Sequence, residues 1–297
     1  MAHSSLLAVI ALARDYLALT KPTILLLVLL TGLPALILAS GGRVDWPLAA
    51  VTLAGTALAS ASAAALNHYM DRDIDAIMRR TRGRPLPAGR LDPRRALWFG
   101  LALGALSTLV LAVWTTPLAT GLAVGSILYY TVFYTGWLKR ATPQNIVIGG
   151  AAGASAPLIA WAAVTGTVGL PAWIMFLVVF LWTPPHFWAL ALYRSDDYAA
   201  AGVPMLPVVS GPAETKRQIL WYTVVLVPAT LSLAALGYAG PVYAVAAAAL
   251  GACFIVRAVA VVRNESVSNC MKLFGYSIAY LLVLFAVLTL DVGLRLV

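Results

Sequence analysis

Nine stretches of about 20 residues, nearly free of charge, decide what this chain can fold into. They lie at roughly 23–40, 46–69, 95–114, 118–137, 143–163, 171–192, 218–238, 241–260 and 272–293, punctuated by Pro, Gly and charged residues. About 20 apolar residues are what a helix needs to cross the hydrocarbon core of a bilayer. Charged residues make up only 10% of the chain, against about 25% in a soluble domain, too few to cover a water-facing surface. The formal charge of +9 would suggest nucleic acid in a soluble protein, but here the expected partner is the lipid bilayer and no nucleic acid is implied. The alternation that marks an outer-membrane barrel is absent. The expected fold class is all-α: a polytopic membrane protein with nine transmembrane helices and one membrane domain over residues 1–297.

Charge sets the orientation. With the N-terminus cytoplasmic, every Lys and Arg except Arg43 and Arg295 falls on the cytoplasmic side, as the positive-inside rule requires. Those two are matched by Asp45 and Asp291, so the whole +9 lies on one face. The longest connections, at 70–94 and 194–217, are on that face too, which makes it the expected working side. The segment at 1–20 lacks a basic leader and reads as an uncleaved interfacial stretch. Trp46, Trp98, Trp114, Trp137, Trp173 and Trp221 sit near expected helix ends, as an aromatic belt would. The pairs Gly100/Gly104, Gly121/Gly125 and Gly149/Gly153 are spaced to let helices approach closely. Cys253 and Cys270 have neither metal nor redox spacing.

The chemistry-bearing acids cluster in Asn67-His-Tyr-Met-Asp71-Arg-Asp73-Ile-Asp75, where the second span leaves the membrane. At about 100° per residue, steps of four drift only ~40°, so Asn67, Asp71 and Asp75 share one stripe. Asp73 falls about 200° from Asp71 and points away. Two carboxylates and an amide oxygen on one face form a hard-oxygen site of the kind Mg²⁺ shares with phosphates. Solvation of a helix end, or pairing with nearby arginines, is the bland alternative.

The sequence that follows is Ala76-Ile-Met-Arg79-Arg-Thr81-Arg82-Gly-Arg84-Pro. With it, the stripe resembles the first aspartate motif of the UbiA-type intramembrane prenyltransferases, residue for residue at Asn67, Asp71 and Asp75. In that family these residues bind Mg²⁺ and the diphosphate of a prenyl donor. Three more stretches are similar to the branch that acts on protoheme: Tyr134-Thr-Gly-Trp-Leu-Lys139-Arg140, Trp182-Thr-Pro-Pro-His186-Phe-Trp, and Asp197-Tyr198-Ala-Ala-Ala-Gly-Val-Pro. The resemblance runs from Leu19 to about residue 211 and is looser beyond. It implies a central cavity open to the cytoplasm and to lipid, in the bacterial cytoplasmic (inner) membrane. The implied reaction joins the farnesyl group of farnesyl diphosphate to a vinyl group of heme b, with water added, giving heme O and diphosphate. A downstream heme-modifying enzyme or a terminal oxidase under assembly is the implied partner. One departure stands out. Where many relatives carry a second Asp-x-x-x-Asp, this chain has adjacent Asp196 and Asp197. Asp197 matches the pattern as a metal residue, whereas Asp196 replaces the Lys of heme-directed members.

Roles follow from what the reaction demands. Asn67, Asp71, Asp75 and Asp197 are the expected metal residues. Lys21, Arg72, Arg79, Arg82, Lys139 and Arg140 are candidates for the diphosphate, though the positive-inside rule alone accounts for any single arginine. Tyr130, Tyr134 and Trp182 are candidate electron-rich walls for a farnesyl cation. His186 either accepts a proton from the added water, contacts heme iron, or satisfies carbonyls freed by Pro184 and Pro185. His68, about 100° off the stripe, is a weaker heme contact. A UbiA-type enzyme prenylating an aromatic ring such as 4-hydroxybenzoate is the nearest alternative. A transporter would place its charged groups near mid-bilayer, and a structural subunit would not need acids in register.

Overall fold

The computed structural model describes residues 2–264 and 266–296; Met1, Glu265 and Val297 lie outside the described residues. Among the described residues, nine helices are long and apolar enough to span a membrane: Pro22–Ala39, Trp46–Met70, Pro93–Trp114, Pro117–Ala141, Asn145–Thr165, Leu170–Tyr193, Gly211–Ala235, Pro241–Arg263 and Val267–Arg295. They are the first to ninth spans below. The helix Ala2–Leu19 precedes them.

Local chemistry explains where the spans begin. Pro22, Pro47, Pro93, Pro117, Pro171, Pro212 and Pro241 all sit in first turns, where the missing N–H would have no helical partner anyway. Asp45, Asp92 and Thr116 cap the second, third and fourth spans by accepting from backbone N–H groups. Inside the bilayer, where apolar contact alone gives little preference between helices, hydroxyls and small residues hold neighbours together. Ser62 Oγ donates to Gly100 O and Ser107 Oγ to Gly55 O, each at 2.7 Å, tying the second span to the third. The seventh to ninth spans close around Tyr243, Phe254, Tyr280 and Phe285, all fully buried. Buried Asp291 accepts the backbone N–H groups of Gly240 and Tyr243 at the start of the eighth span.

Four details differ from the sequence expectation. The seventh span starts at Gly211 rather than 218, because its helix runs on past the apolar stretch through Glu214, Lys216 and Arg217. The fifth span is two helices, Asn145–Gly153 and Ala156–Thr165, interrupted at Ala154–Ser155 just before Pro157. The second half of the fourth span, Tyr129–Leu138, is a π-helix. Of the glycine pairs, Gly100 and Gly104 do meet Leu66 and Ser62, but a Cβ on Gly121, Gly125 or Gly153 would touch nothing within 4 Å. Gly121 and Gly125 instead line a surface groove shared with Ala151, Ala152 and Ser155. The six tryptophans at span ends are all exposed, while Trp182 and Trp188 are buried.

Candidate active site

Alternation of the spans brings Lys21, Asp71, Lys139 and Asp197 to one end of the bundle. The α-helical hydrogen-bond register survives the end of the second span: Asp71 N–H donates to Asn67 O at 2.9 Å and Asp75 N–H to Asp71 O at 2.8 Å. That continuity keeps Asn67, Asp71 and Asp75 on one stripe although the helix is re-formed as the short segment Arg72–Ile77. All three are buried. Asp73 turns outward, where Arg140 donates to both its oxygens at 2.8 Å and holds its pKa down at about 2.

Cations arrive at the stripe from three elements. Lys139 Nζ donates to Asp71 Oδ2 at 2.5 Å, Arg84 Nη1 to Asp75 Oδ2 at 2.6 Å, and Lys21 Nζ to Asn67 Oδ1 at 2.8 Å. Asn67 Nδ2 completes the network by donating to Asp71 Oδ2 at 2.7 Å and to Thr135 Oγ1 at 3.1 Å. Lys21 is the only non-glycine with positive φ among the described residues, at 51°. It lies just ahead of Pro22, and such a conformation costs about 1–3 kcal/mol unless its surroundings hold it. Burial, reinforced by the Arg84 and Lys139 charges, pulls its amine down to about 7. Three basic side chains thus face two carboxylates in a buried cluster, an arrangement that suits a polyanion.

One oxygen in the cluster is left over. Asp71 Oδ1 is buried without a hydrogen-bond partner, which fits a hard cation. Among the described residues no group of three or more His, Cys, Asp or Glu gathers to hold an ion. Asp197, buried on the short helix Ser195–Ala200, lies apart beside Arg79 at 3.9 Å and Arg194 at 3.7 Å. Its Oδ2 likewise accepts no hydrogen bond. Asp196 points to the exterior.

Behind the cluster opens a largely apolar cavity of about 220 Å³. Lys21 borders it, together with Tyr130 and Tyr134 from the π-helix, Gly149 and Gly150 from the fifth span, and Trp182 and His186 from the sixth. The wider turn of a π-helix re-aims side chains, a device common at functional sites. Here the Tyr130 and Tyr134 rings lie 5.3 Å apart, and Thr135 meets Asn67. Gly149 makes this possible, since a Cβ there would lie 2.2 Å from Tyr134 Cδ2. His186 stacks between Trp182 and Phe274, with centroids at 4.4 and 4.7 Å. Its Nδ1 lies 2.7 Å from Ser277 Oγ, not on carbonyls freed by Pro184 and Pro185.

The candidate diphosphate residues therefore divide. Lys21 and Lys139 are in the cluster. Arg72 folds back onto Tyr69, donating to its carbonyl at 2.6 Å with its guanidinium 4.5 Å from the ring centre. Arg140 is engaged by Asp73, Arg79 stands beside Asp197, and Arg82 is exposed. His68 is buried but does not line the cavity. Arg84 was not among the expected site residues, because nothing in a run of arginines demanded by topology singles one out. Ser277 and Phe274 come from the ninth span, outside the motifs that the sequence singles out.

An aspartate–lysine–arginine cluster that reaches an apolar cavity between the spans through Lys21 matches a known architecture. The chain belongs to the UbiA prenyltransferase family, which matches over residues 28–287. Within that family it is 52% identical to a protein from Symbiobacterium thermophilum named protoheme IX farnesyltransferase, over 94% of each chain. It is 49% identical to one of the same name from Azorhizobium caulinodans, over 95% of this chain and 93% of the other. In fold it is similar to a structure reported for digeranylgeranylglyceryl phosphate synthase, with TM-score 0.77, 19% identity, and coverage of 95% and 98% of the two chains. A UbiA homologue from Archaeoglobus fulgidus bound to DMAPP and Mg²⁺ also matches, with TM-score 0.65, 18% identity, and coverage of 92% and 99%.

Proposed function

We propose that this protein transfers the farnesyl group of farnesyl diphosphate to a vinyl group of protoheme IX (heme b), with addition of water, releasing heme O and diphosphate. The observation that carries the reading is one continuous cavity bordered by Lys21 of the charged cluster and by His186 deep among aromatic rings. A polar donor head can sit at its Lys21 end while an acceptor edge approaches from the His186 end.

The cluster takes the diphosphate. Lys139 and Lys21 turn from Asp71 and Asn67 toward its oxygens, and Arg84 holds Asp75 in place. The Mg²⁺ in the Archaeoglobus fulgidus relative and the unpartnered Asp71 Oδ1 support Mg²⁺ as the cofactor. Held by Asp71 and Asp75 with Asn67 alongside, and with Asp197 serving a second position, it would neutralise charge on the departing diphosphate. As the allylic C–O bond breaks, Tyr130, Tyr134 and Trp182 present π-faces to the farnesyl cation and keep water away. The vinyl terminal carbon attacks the cation. The positive charge left on the inner vinyl carbon is quenched by water, whose oxygen stays as the hydroxyl while its proton leaves with diphosphate. The basic end of the bundle faces the cytoplasm of a bacterial inner membrane in this reading, and a downstream heme-modifying enzyme or a terminal oxidase under assembly takes the product.

Purified protein incubated with protoheme, farnesyl diphosphate and Mg²⁺ should yield heme O by mass spectrometry. Prenylation of 4-hydroxybenzoate with no farnesylated heme would replace this reading with the aromatic one.

A further inference from the structure

Proton counting around His186 fixes something the sequence leaves open. Ser277 Oγ lies 2.6 Å from Phe274 O, and a carbonyl has no proton to give, so the serine hydroxyl donates there. Its single proton is then used, and at 2.7 Å from His186 Nδ1 Ser277 Oγ can only accept. His186 therefore carries a proton on Nδ1; packed between two aromatic rings, where an imidazolium would be costly, it is the neutral Nδ1–H tautomer with a bare lone pair on Nε2. Among the described residues that nitrogen makes no hydrogen bond and is not sealed off, and the residue borders the cavity. The ring cannot easily turn, because Trp182 and Phe274 stack on its two faces. Trp182 is itself pinned, its Nε1 donating to Ser277 O at 2.7 Å. One residue of the ninth span thus fixes both the ring beside the histidine and the proton on it.

We infer that Ser277 is a positioning residue that locks His186 as the Nδ1–H tautomer, so that Nε2 is presented to the cavity as a ligand for the iron of the porphyrin acceptor. The inference rests on the protoheme reading for the identity of the metal. An imidazole with its far N–H tied to an oxygen is the usual arrangement of metal-bound histidine, because that bond sets tautomer and ring orientation, and neutral imidazole suits iron. Ligation would anchor the porphyrin at its centre and leave its vinyl edge to be turned toward the Lys21 end of the cavity.

The chain has three histidines, so ¹⁵N-histidine labelling of the full-length protein in lipid bilayers resolves the tautomer directly, with His186→Gln supplying the assignment. The expected result is an unprotonated Nε2 and a protonated Nδ1 on His186 in the wild type, before any ligand is added. A protonated Nε2 there, in the wild-type protein, overturns the inference. Protoheme is then titrated in and the Soret band followed. The band should shift on binding to the wild type and not in His186→Gln. Ser277→Ala should weaken the binding about 10–100-fold, while Ser277→Thr, which keeps the hydroxyl, should bind like the wild type. An identical Soret shift in wild type and His186→Gln overturns iron ligation. Failure of the reaction is a separate result: a protein that shows the His186-dependent shift yet forms no heme O loses the proposed function and keeps this site.

Discussion

Arg84→Gln is the sharpest test of how the charged cluster is built. The Arg84–Asp75 pair has a 2.6 Å contact, with side-chain exposures of 23% and 3%. Removing one partner of a buried pair costs about 3–5 kcal/mol, mostly the penalty of a stranded charge. Because Arg84 keeps some access to solvent, the lower end applies and a loss of about 3 kcal/mol is expected. Asp75→Asn should cost less, about 1 kcal/mol, since the arginine it strands can reach water. In the double variant no carboxylate is stranded, so the cycle should return a coupling energy of about 2 kcal/mol. Reversible unfolding in mixed micelles, followed by tryptophan fluorescence for the four proteins, supplies the numbers. The same substitution should lower kcat/KM for farnesyl diphosphate by about 100-fold, as loss of a charge-organising donor does in other sites. A coupling energy under about 0.5 kcal/mol, or unchanged kcat/KM, would refute the reasoning.

Other perturbations follow from the same geometry. Gly149→Ala puts a Cβ against Tyr134, at 2.2 Å before relaxation; it should cost about 1–3 kcal/mol and raise KM for the prenyl donor, while Gly153→Ala, with open space around it, should melt like the wild type. Arg72→Ala should leave turnover close to wild type and Arg140→Ala should lose at most about 1 kcal/mol of stability, whereas Lys139→Ala should lose most of its turnover in the same assay. Lys21, lowered from 10.5 to about 7, binds fewer protons folded than unfolded between those values, so its effect is to make the free protein more stable as pH rises through that window. Diphosphate binding should recharge the amine and so take up a proton near pH 8, detected by calorimetry in two buffers of different ionisation enthalpy; equal heats would contradict the lysine's role.

How much was legible in advance depended on whether the signal was local. Span number and most boundaries could be read because each depends only on apolar length and on first-turn prolines. The Asn67–Asp71–Asp75 stripe could be read because backbone bonding continues through Asp71, and the outward turn of Asp73 came with it. Arg84 could not be told from Arg72 or Arg82, since which arginine reaches a carboxylate depends on how the chain folds after Ile77. The π-helix left no compositional mark either: Tyr129–Leu138 reads as ordinary helix, and only packing against Gly149 and the link from Thr135 to Asn67 reveal why the wider turn is kept. Ser277 is one serine on an apolar helix until the ninth span is laid against the sixth.

In the proposed mechanism the aspartate cluster handles the donor's diphosphate while the neighbouring cavity holds the acceptor. Release of diphosphate from farnesyl diphosphate, measured against heme O formed in the same tube, tests this most directly. The prediction is one diphosphate per heme O, dependent on protoheme, abolished by EDTA, and lost in folded Asp71→Asn and Asp75→Asn proteins. Undiminished heme O formation in those two variants would contradict it.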